Sequence, residues 1–216
     1  MRRGSFQAGT VDYAAVGATG AADLMWYPPA GTIPAEQSWR IGSGQERFDA
    51  SADALLSWVP LRGAGLTLSD VTPAAGPSYA GVSFDADGNA IAPTRSDGDL
   101  RFDAEGTPYV TAGTSLEVSG RVGGHNADAK LRVIAVEEAP RRVGFTIGTV
   151  DGSVVSGEEA FTVEWRDNDQ VWFTVRAFER GHAGLYRVFA GMVRRRRKAL
   201  FQAYLRAVSP LYTSSD

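Results

Sequence analysis

The sequence predicts a single α+β domain in which a mainly antiparallel sheet is closed by a long C-terminal helix. Two patterns predict it. Short runs of alternating apolar and polar residues fill much of the segment 66–178, and apolar residues at helical spacing continue from about 183 to 208. The chain has 216 residues, of which 44% are hydrophobic and 22% charged, so it can bury one core. We therefore treat residues 1–216 as one domain.

Composition excludes several classes of protein. A formal charge of −3 argues against a nucleic-acid binder. The absence of cysteine removes disulfides, thiol nucleophiles and cysteine-ligated zinc, and the only histidines, His125 and His182, lie far apart in the sequence. We predict no metal and no cofactor. No apolar run approaches the ~20 residues of a membrane span, and residues 1–10 lack the apolar run of a secretory signal. The expected location is cytoplasmic.

The first predicted helix follows a stretch from 10 to 39 that is rich in Gly, Ala and Pro and contains one short strand near Val11–Val16. Ser43 and Glu46 have the spacing of a capping box, which predicts a helix over about 44–58 that Pro60 stops. Apolar residues recur at helical spacing within and just after it: Phe48, Ala52, Leu55, Leu56 and Val59.

The middle of the chain contains two similar turn sequences, Phe84–Gly88 and Phe102–Gly106. Each ends a short alternation with an acidic residue and glycine, which is typical of a hairpin turn. Four longer strands follow, predicted at 131–138, 143–150, 159–165 and 171–178. The last two form a hairpin around Asp167–Asp169. Its loop must have an odd length, because only then do the apolar rows of both strands share one face of the sheet.

Several motifs in the C-terminal half resemble a domain-of-unknown-function family of bacteria and plants. The family pattern is G-F-x-Y-G-T-L, then G-E-E-x-F-x-V-E, then V-W-Y and A-F before a final helix. The matching segments are Gly144–Val150, Gly157–Glu164, Val171–Phe173 and Ala177–Phe178. Upstream, Tyr13, Val16, Gly17 and Thr19 resemble its opening, and Gly42–Trp58 resembles its first helix.

The chain departs from the family pattern at three places. Ile147 replaces a tyrosine, the segment 151–156 lacks a histidine, and Gly181 replaces a proline after Arg180. Relative to the family, residues of about 69–112 form an insertion. The resemblance implies a fold more than a function, because no activity is associated with the family.

The order of elements also resembles the helix-grip architecture of START, polyketide-cyclase and plant-allergen-like proteins. That resemblance implies a sheet wrapped around the last helix, with a cavity for a small apolar ligand between them. The ligand-binding residues that it implies are Glu159, Phe145, Phe161, Trp165, Phe189 and Met192. No catalytic residue is assigned, and the oligomeric state stays open.

Two consecutive glutamates open a predicted strand and must point to opposite faces. Glu159 shares its face with Phe161 and Val163, so we expect it inside and Glu158 in solvent. An ionised carboxylate inside needs a donor, and we expect an arginine or backbone amides to hold it. Such a partner would lower its pKa.

Other motifs in the sequence give weaker indications of function. The basic run 194–198 is spread around a helix, with Arg196 nearest the apolar stripe. No serine lies in a G-x-S-x-G elbow. The sequence leaves three hypotheses: a non-enzymatic binder of a small apolar ligand, which is favoured; an enzyme of the same fold using Glu159; and a protein-interaction module that acts through residues 69–112.

Overall fold

An antiparallel sheet carries three α-helices on one face in the computed structural model of the protein. The structure describes residues 11–74, 83–84, 90–91, 100–122, 125–150, 155–181 and 185–209. Side chains are described at these positions apart from 83–84, 90–91, 122, 125, 181 and 185–194.

The strands of the main sheet are β1 (Ile33–Ser43), β2 (Leu66–Thr72), β5 (Ser115–Val122), β6 (His125–Asn126), β7 (Ala129–Ala139), β8 (Arg142–Thr149), β9 (Val155–Trp165) and β10 (Gln170–Gly181). They all pair antiparallel, in the order β1-β10-β9-β8-β7-β5-β2, with β6 beside β5. A separate small hairpin joins β3 (Ser83–Phe84) and β4 (Ala90–Ile91). The helices are α1 (Gln45–Leu56), α2 (Val59–Gly63) and α3 (Leu185–Val208).

The sheet curves around α3. Both β1 and β5 contact this helix although four strands lie between them in the sheet, so the sheet must bend to reach it from both sides. Register shifts at Arg40/Gly42 and Val133/Ala135 mark bulges, which increase the local bend of a strand. The predicted class, an antiparallel sheet wrapped around a long C-terminal helix, is confirmed, and α3 is 24 residues long.

The hairpin of β9 and β10 forms the centre of the core. Val163 and Phe173 are fully buried and directly paired across the two strands. The turn has three residues between the pair of Arg166 and Gln170, and Asp169 adopts φ 65°. A left-handed residue at the end of a three-residue turn is the usual solution for this hairpin. The predicted odd-length loop is therefore confirmed.

The sequence prediction missed β1. Residues 33–39 belong to the Gly/Ala/Pro-rich stretch, where the sequence predicts no strand, yet an 11-residue strand begins at Ile33 and pairs with β10. Its inward residues, Ala35, Trp39 and Ile41, do alternate with exposed ones, and this was the available signal. The short strand predicted at Val11–Val16 is a single bridge between Val11 and Val150.

The predicted capping box does not form. Gly44, with φ 84°, precedes α1 and gives no side-chain cap, so Ser43 has no capping role. Arg47 makes the important local contacts instead: Nε donates to the Ile41 carbonyl at 2.9 Å and Nη2 to the Val208 carbonyl at 2.6 Å. It thereby joins the start of α1 to the end of α3. Pro60 ends no helix, because it lies at the start of α2.

The segment predicted as an insertion, 69–112, is attached at both of its ends. Its first residues belong to β2, which pairs with β5. Near its other end, the Trp58 indole donates to the Pro108 carbonyl at 2.8 Å, and the amide of the buried Val110 donates to Leu56 at 2.8 Å. The second predicted hairpin turn is closed by the bridge of Phe102 with Pro108. At the first, β3 and β4 pair antiparallel, and the turn residues themselves lie outside the described residues. Whether 69–112 is an insertion stays a prediction.

Candidate functional site

The candidate site lies on β9, where consecutive carboxylates leave the strand on opposite faces. Glu159 is opposite Ile147 of β8 and Ala177 of β10, so it belongs to the inner row that also holds Phe161. Glu158 belongs to the outer row, opposite Phe178. The alternation predicted from the sequence is therefore correct, but the environment of Glu158 is not the predicted one.

Glu158 is buried, with 3% of its surface exposed. The N-terminal segment covers it and supplies four hydrogen bonds. Oε2 accepts from the Tyr13 hydroxyl at 2.9 Å and the Gly17 amide at 2.7 Å, while Oε1 accepts from the Thr19 amide at 3.0 Å and the Thr19 hydroxyl at 2.5 Å. The expectation that Glu158 is solvated is wrong, because the N-terminal segment, which includes the short 3-10 helix Ala18–Gly20, folds over the outer face here.

Glu159 lies between the sheet and α3 and is half-buried. Its Oε2 accepts a hydrogen bond from the Tyr204 hydroxyl at 3.0 Å. Ile147, at the position where the resembled pattern has tyrosine, is its cross-strand neighbour and is buried. The phenol beside this carboxyl therefore comes from α3 and not from β8.

An ion pair lies beside this carboxyl. Arg197 of α3 is buried; Nη2 pairs with Oε1 of Glu179 at 2.5 Å and Nη1 donates to the Ile33 carbonyl at 2.8 Å. The sequence prediction placed Arg196 nearest the apolar stripe, whereas Arg197 is the inward residue. The signal was present, because the buried residues of this half of α3 follow helical spacing: Arg197, Phe201, Tyr204 and Val208.

The carboxyl of Glu159 titrates near neutrality. Burial raises its pKa from the ordinary 4.5 to about 7, against the opposing effects of the Tyr204 hydrogen bond and the Arg197 charge. Burial and the neighbouring Glu159 also raise the pKa of Tyr204 well above its usual range, so this phenol stays protonated. The expected lowering of the Glu159 pKa is therefore wrong in sign, because desolvation outweighs the donors.

The structure brings together only part of the predicted binding set. Phe145 and Phe161 are fully packed, with ring centroids 4.9 Å apart, and Phe161 meets the Tyr204 ring edge-on at 5.0 Å. Trp165 lies six residues along β9 from Glu159, roughly 20 Å at the usual rise of a strand. It stacks on Phe48 of α1 instead.

The remaining two predicted ligand residues, Phe189 and Met192, are in α3, but their side chains lie outside the described residues. In the described ranges no cluster of His, Asp and Glu is arranged to hold a metal ion. The α-helices of the described chain include none with the length and hydropathy of a membrane span.

This arrangement offers a proton donor or acceptor in an apolar wall. Near pH 7 the Glu159 carboxyl exists in both forms, and the neutral form donates while the charged form accepts. Tyr204 supplies an adjacent hydroxyl, and the buried Phe161 packs against the Tyr204 ring. Such a site can orient one polar group on a ligand that is otherwise apolar.

A curved antiparallel sheet that closes on a long C-terminal helix defines a helix-grip protein. Solved structures with a related outline include a hypothetical protein of Helicobacter pylori (10% identity, TM-score 0.47, covering 87% of this chain and 92% of that one). Another is major latex-like protein 151 of Panax ginseng, with 12% identity and a TM-score of 0.47, covering 86% of this chain and 100% of that one. A third is truncated norcoclaurine synthase of Thalictrum flavum, with 13% identity and a TM-score of 0.45, covering 86% of this chain and 94% of that one. Structural similarity at this level gives no information about the ligand or the activity of this chain.

The chain belongs to the domain of unknown function family DUF1990, whose profile matches residues 12–95 and 94–207. The family resemblance predicted from the segments around Gly144 and Glu159 is thereby confirmed. A comparison with curated proteins found no significant match.

Proposed function

We propose that the protein binds a small, mainly apolar ligand between the inner face of the sheet and α3, with Glu159 as the polar anchor. The observation that carries the proposal is the position of this carboxyl, which is half-buried in an apolar row and bonded to Tyr204. A carboxyl there costs free energy, since burial disfavours its charged form. A ligand that forms a hydrogen bond with this carboxyl would offset that cost.

The surroundings favour a ligand with one polar group. Phe161 and Ile147 are buried beside the carboxyl and make its surroundings apolar, and Tyr204 adds one hydroxyl. Arg197 is already paired with Glu179, so its charge is committed to holding α3 against β10. The site therefore suits a neutral carbonyl or hydroxyl compound better than a strongly charged one.

A fluorescence titration with the neutral apolar probe N-phenyl-1-naphthylamine tests this proposal. We expect saturable binding that is stronger at pH 6, where Glu159 is neutral, than at pH 8.5. The variant Glu159→Gln should lose this pH dependence. Glu138→Gln is the matched control, because Glu138 is an exposed strand residue. Native mass spectrometry of protein purified from its own host would then look for the natural ligand.

Two results would contradict the proposal. One is the absence of saturable probe binding at either pH. The other is binding that responds equally to Glu159→Gln and to Glu138→Gln, since that would place the probe away from the carboxyl.

A second candidate function is catalysis on the same ligand. A carboxyl with a pKa of about 7 is suited to general acid–base work near neutral pH, and the protonated Tyr204 lies beside it. Turnover of the co-purified compound by the wild type but not by Glu159→Gln would establish this function. If the compound is unchanged after long incubation, the protein binds it without catalysing a reaction.

One separate observation favours the third hypothesis, that the protein is an interaction module. Leu100 and Phe102 in the segment 69–112 are 48% and 56% exposed. Changing both to serine should abolish partner capture if this surface binds a protein, and should leave probe binding unchanged.

A further inference from the structure

A cavity of about 700 Å³ opens on the outer face of the sheet, where the N-terminal segment crosses β9 and β10. This is the face opposite Glu159. The volume is within the range of sites that hold a small organic molecule. The lining residues that matter here are Asp12, Tyr13, Pro29, Ser156, Phe178 and Arg180.

Asp12 supplies a carboxylate whose orientation is fixed in advance. Its Oδ1 accepts from the Thr149 hydroxyl at 2.6 Å and from the Ser156 hydroxyl at 2.9 Å. Both of these bonds end at Oδ1, so within the described part of the chain Oδ2 is the oxygen that can accept from a ligand. Thr149 is itself held by the Gly157 amide, which donates to its hydroxyl at 2.9 Å. A carboxylate supported in this way loses little freedom when a ligand binds.

The charges around the cavity favour a cation. Asp12 is in the wall, and the buried Glu158 lies directly behind Tyr13, bonded to uncharged donors. Arg180 is the cation among the described lining residues; it is exposed and donates to the Ala30 carbonyl. The nearby Arg176 is ion-paired with Glu36 at 2.9 Å. Among the described residues, the two carboxylates of Asp12 and Glu158 outnumber the one guanidinium of Arg180, which leaves an excess of one negative charge.

The remaining wall is aromatic and apolar. The Tyr13 and Phe178 rings meet edge to face with centroids 5.5 Å apart, and Pro29 also belongs to the lining. Aromatic walls beside a carboxylate suit a cation on an apolar body, because the ring quadrupole attracts the charge and the rings cover the body.

We propose that this outer cavity binds an organic ammonium compound, with its nitrogen at Asp12 and its apolar body against Tyr13, Phe178 and Pro29. The site is separate from the inner one, since the two lie on opposite faces of β9. The shared chemistry is a protonated amine next to a ring or a short chain.

Three matched probes distinguish the chemistry: phenethylamine at pH 7, the neutral 2-phenylethanol and the anionic 3-phenylpropionate. We expect chemical shift changes and calorimetric binding for the amine, with a Kd at least about tenfold lower than for the other two. Asp12→Asn should weaken amine binding about tenfold or more, while Asn keeps an oxygen for the Thr149 and Ser156 hydroxyls. Arg180→Gln should strengthen it, because a like charge is removed.

Controls separate binding from folding. Asp49→Asn removes an exposed carboxylate on α1 and should leave amine binding unchanged. The unfolding midpoint of each variant reports whether the fold is retained, and Glu159→Gln should leave amine binding unaffected. The proposal is overturned if the carboxylate probe binds as well as the amine, if Asp12→Asn has no effect, or if the amine fails to bind at about 10 mM, far above the usual Kd of a specific site.

Discussion

Glu158 and Glu159 are adjacent in the chain, yet each joins a different element to the sheet. Glu158 accepts four hydrogen bonds from the N-terminal segment on the outer face, and Glu159 accepts one from Tyr204 of α3 on the inner face. The pair therefore gives two substitutions of the same type with different expected consequences. Outer-face stability and inner-face titration can be measured separately.

Glu158→Gln should destabilise the protein by about 2–3 kcal/mol at pH 7, the usual cost of hydrogen bonds to a charged group. The side-chain NH2 of Gln would also replace one carboxylate oxygen, so that a donor would face the donating hydroxyl of Tyr13 or of Thr19. Urea unfolding at pH 7 measures the loss. Glu164→Gln, on the same strand and face, should change stability by no more than about 0.5 kcal/mol. Equal effects at both positions would show that the N-terminal segment contributes little.

Glu159→Gln should have an effect on stability that depends on pH. The native pKa of about 7 lies above the unfolded value, so the stability contributed by this group is present below about pH 4.5 and is lost as pH rises through 7. The Gln side chain does not ionise, so its stability does not change in this way with pH. From pH 5 to pH 8 the free energy of unfolding of the variant should therefore rise relative to that of the wild type by about 1–3 kcal/mol.

Urea unfolding at several pH values measures this gain, and an NMR titration of the Glu159 carboxyl carbon should show a midpoint near 7. A stability difference that stays constant from pH 5 to pH 8, or a midpoint near 4.5, would contradict the raised pKa.

Gly63→Ala should destabilise by about 1–3 kcal/mol, the usual cost of overpacking. A Cβ at Gly63 would lie 2.4 Å from the Cβ of Ala207, so α2 and α3 approach too closely for a second methyl group. Ala207→Gly alone should cost about 1 kcal/mol through helix propensity.

The double variant Gly63→Ala/Ala207→Gly tests the contact directly. Its loss should be smaller than the sum of the two single losses, since removing one methyl makes room for the other. Strict additivity in a double-mutant cycle would mean that the helices do not meet at this point in solution.

Replacing 83–99 by a short Gly/Ser linker should leave a cooperative transition with little change in stability, because the entropic cost of closing a loop changes only slowly with its length. Extending the replacement to Thr107 should cost about 1–3 kcal/mol more. The extra residues include Asp103, which pairs with Arg62 at 2.5 Å and accepts from the Thr107 amide at 2.7 Å. Differential scanning calorimetry of both variants gives the comparison. An unfolded product from the shorter replacement would place 83–99 in the core.

The sequence by itself determined the class of fold and the two faces of β9. Periodicity is a local property of the chain, so alternation from Glu159 to Trp165 and helical spacing up to Val208 could be read without a structure. The family assignment likewise rested on short motifs, and the profile match confirms it.

Only the tertiary structure decided what each face meets. Glu158 is buried because the N-terminal segment folds across the outer face, and no local pattern records such a distant contact. Arg197 and Tyr204 are 38 and 45 residues beyond Glu159 in the chain, and α3 brings them to β9 only when the sheet closes on it. The pKa of Glu159 depends on that closure, because desolvation is set by what surrounds a group in space and not by its neighbours in sequence.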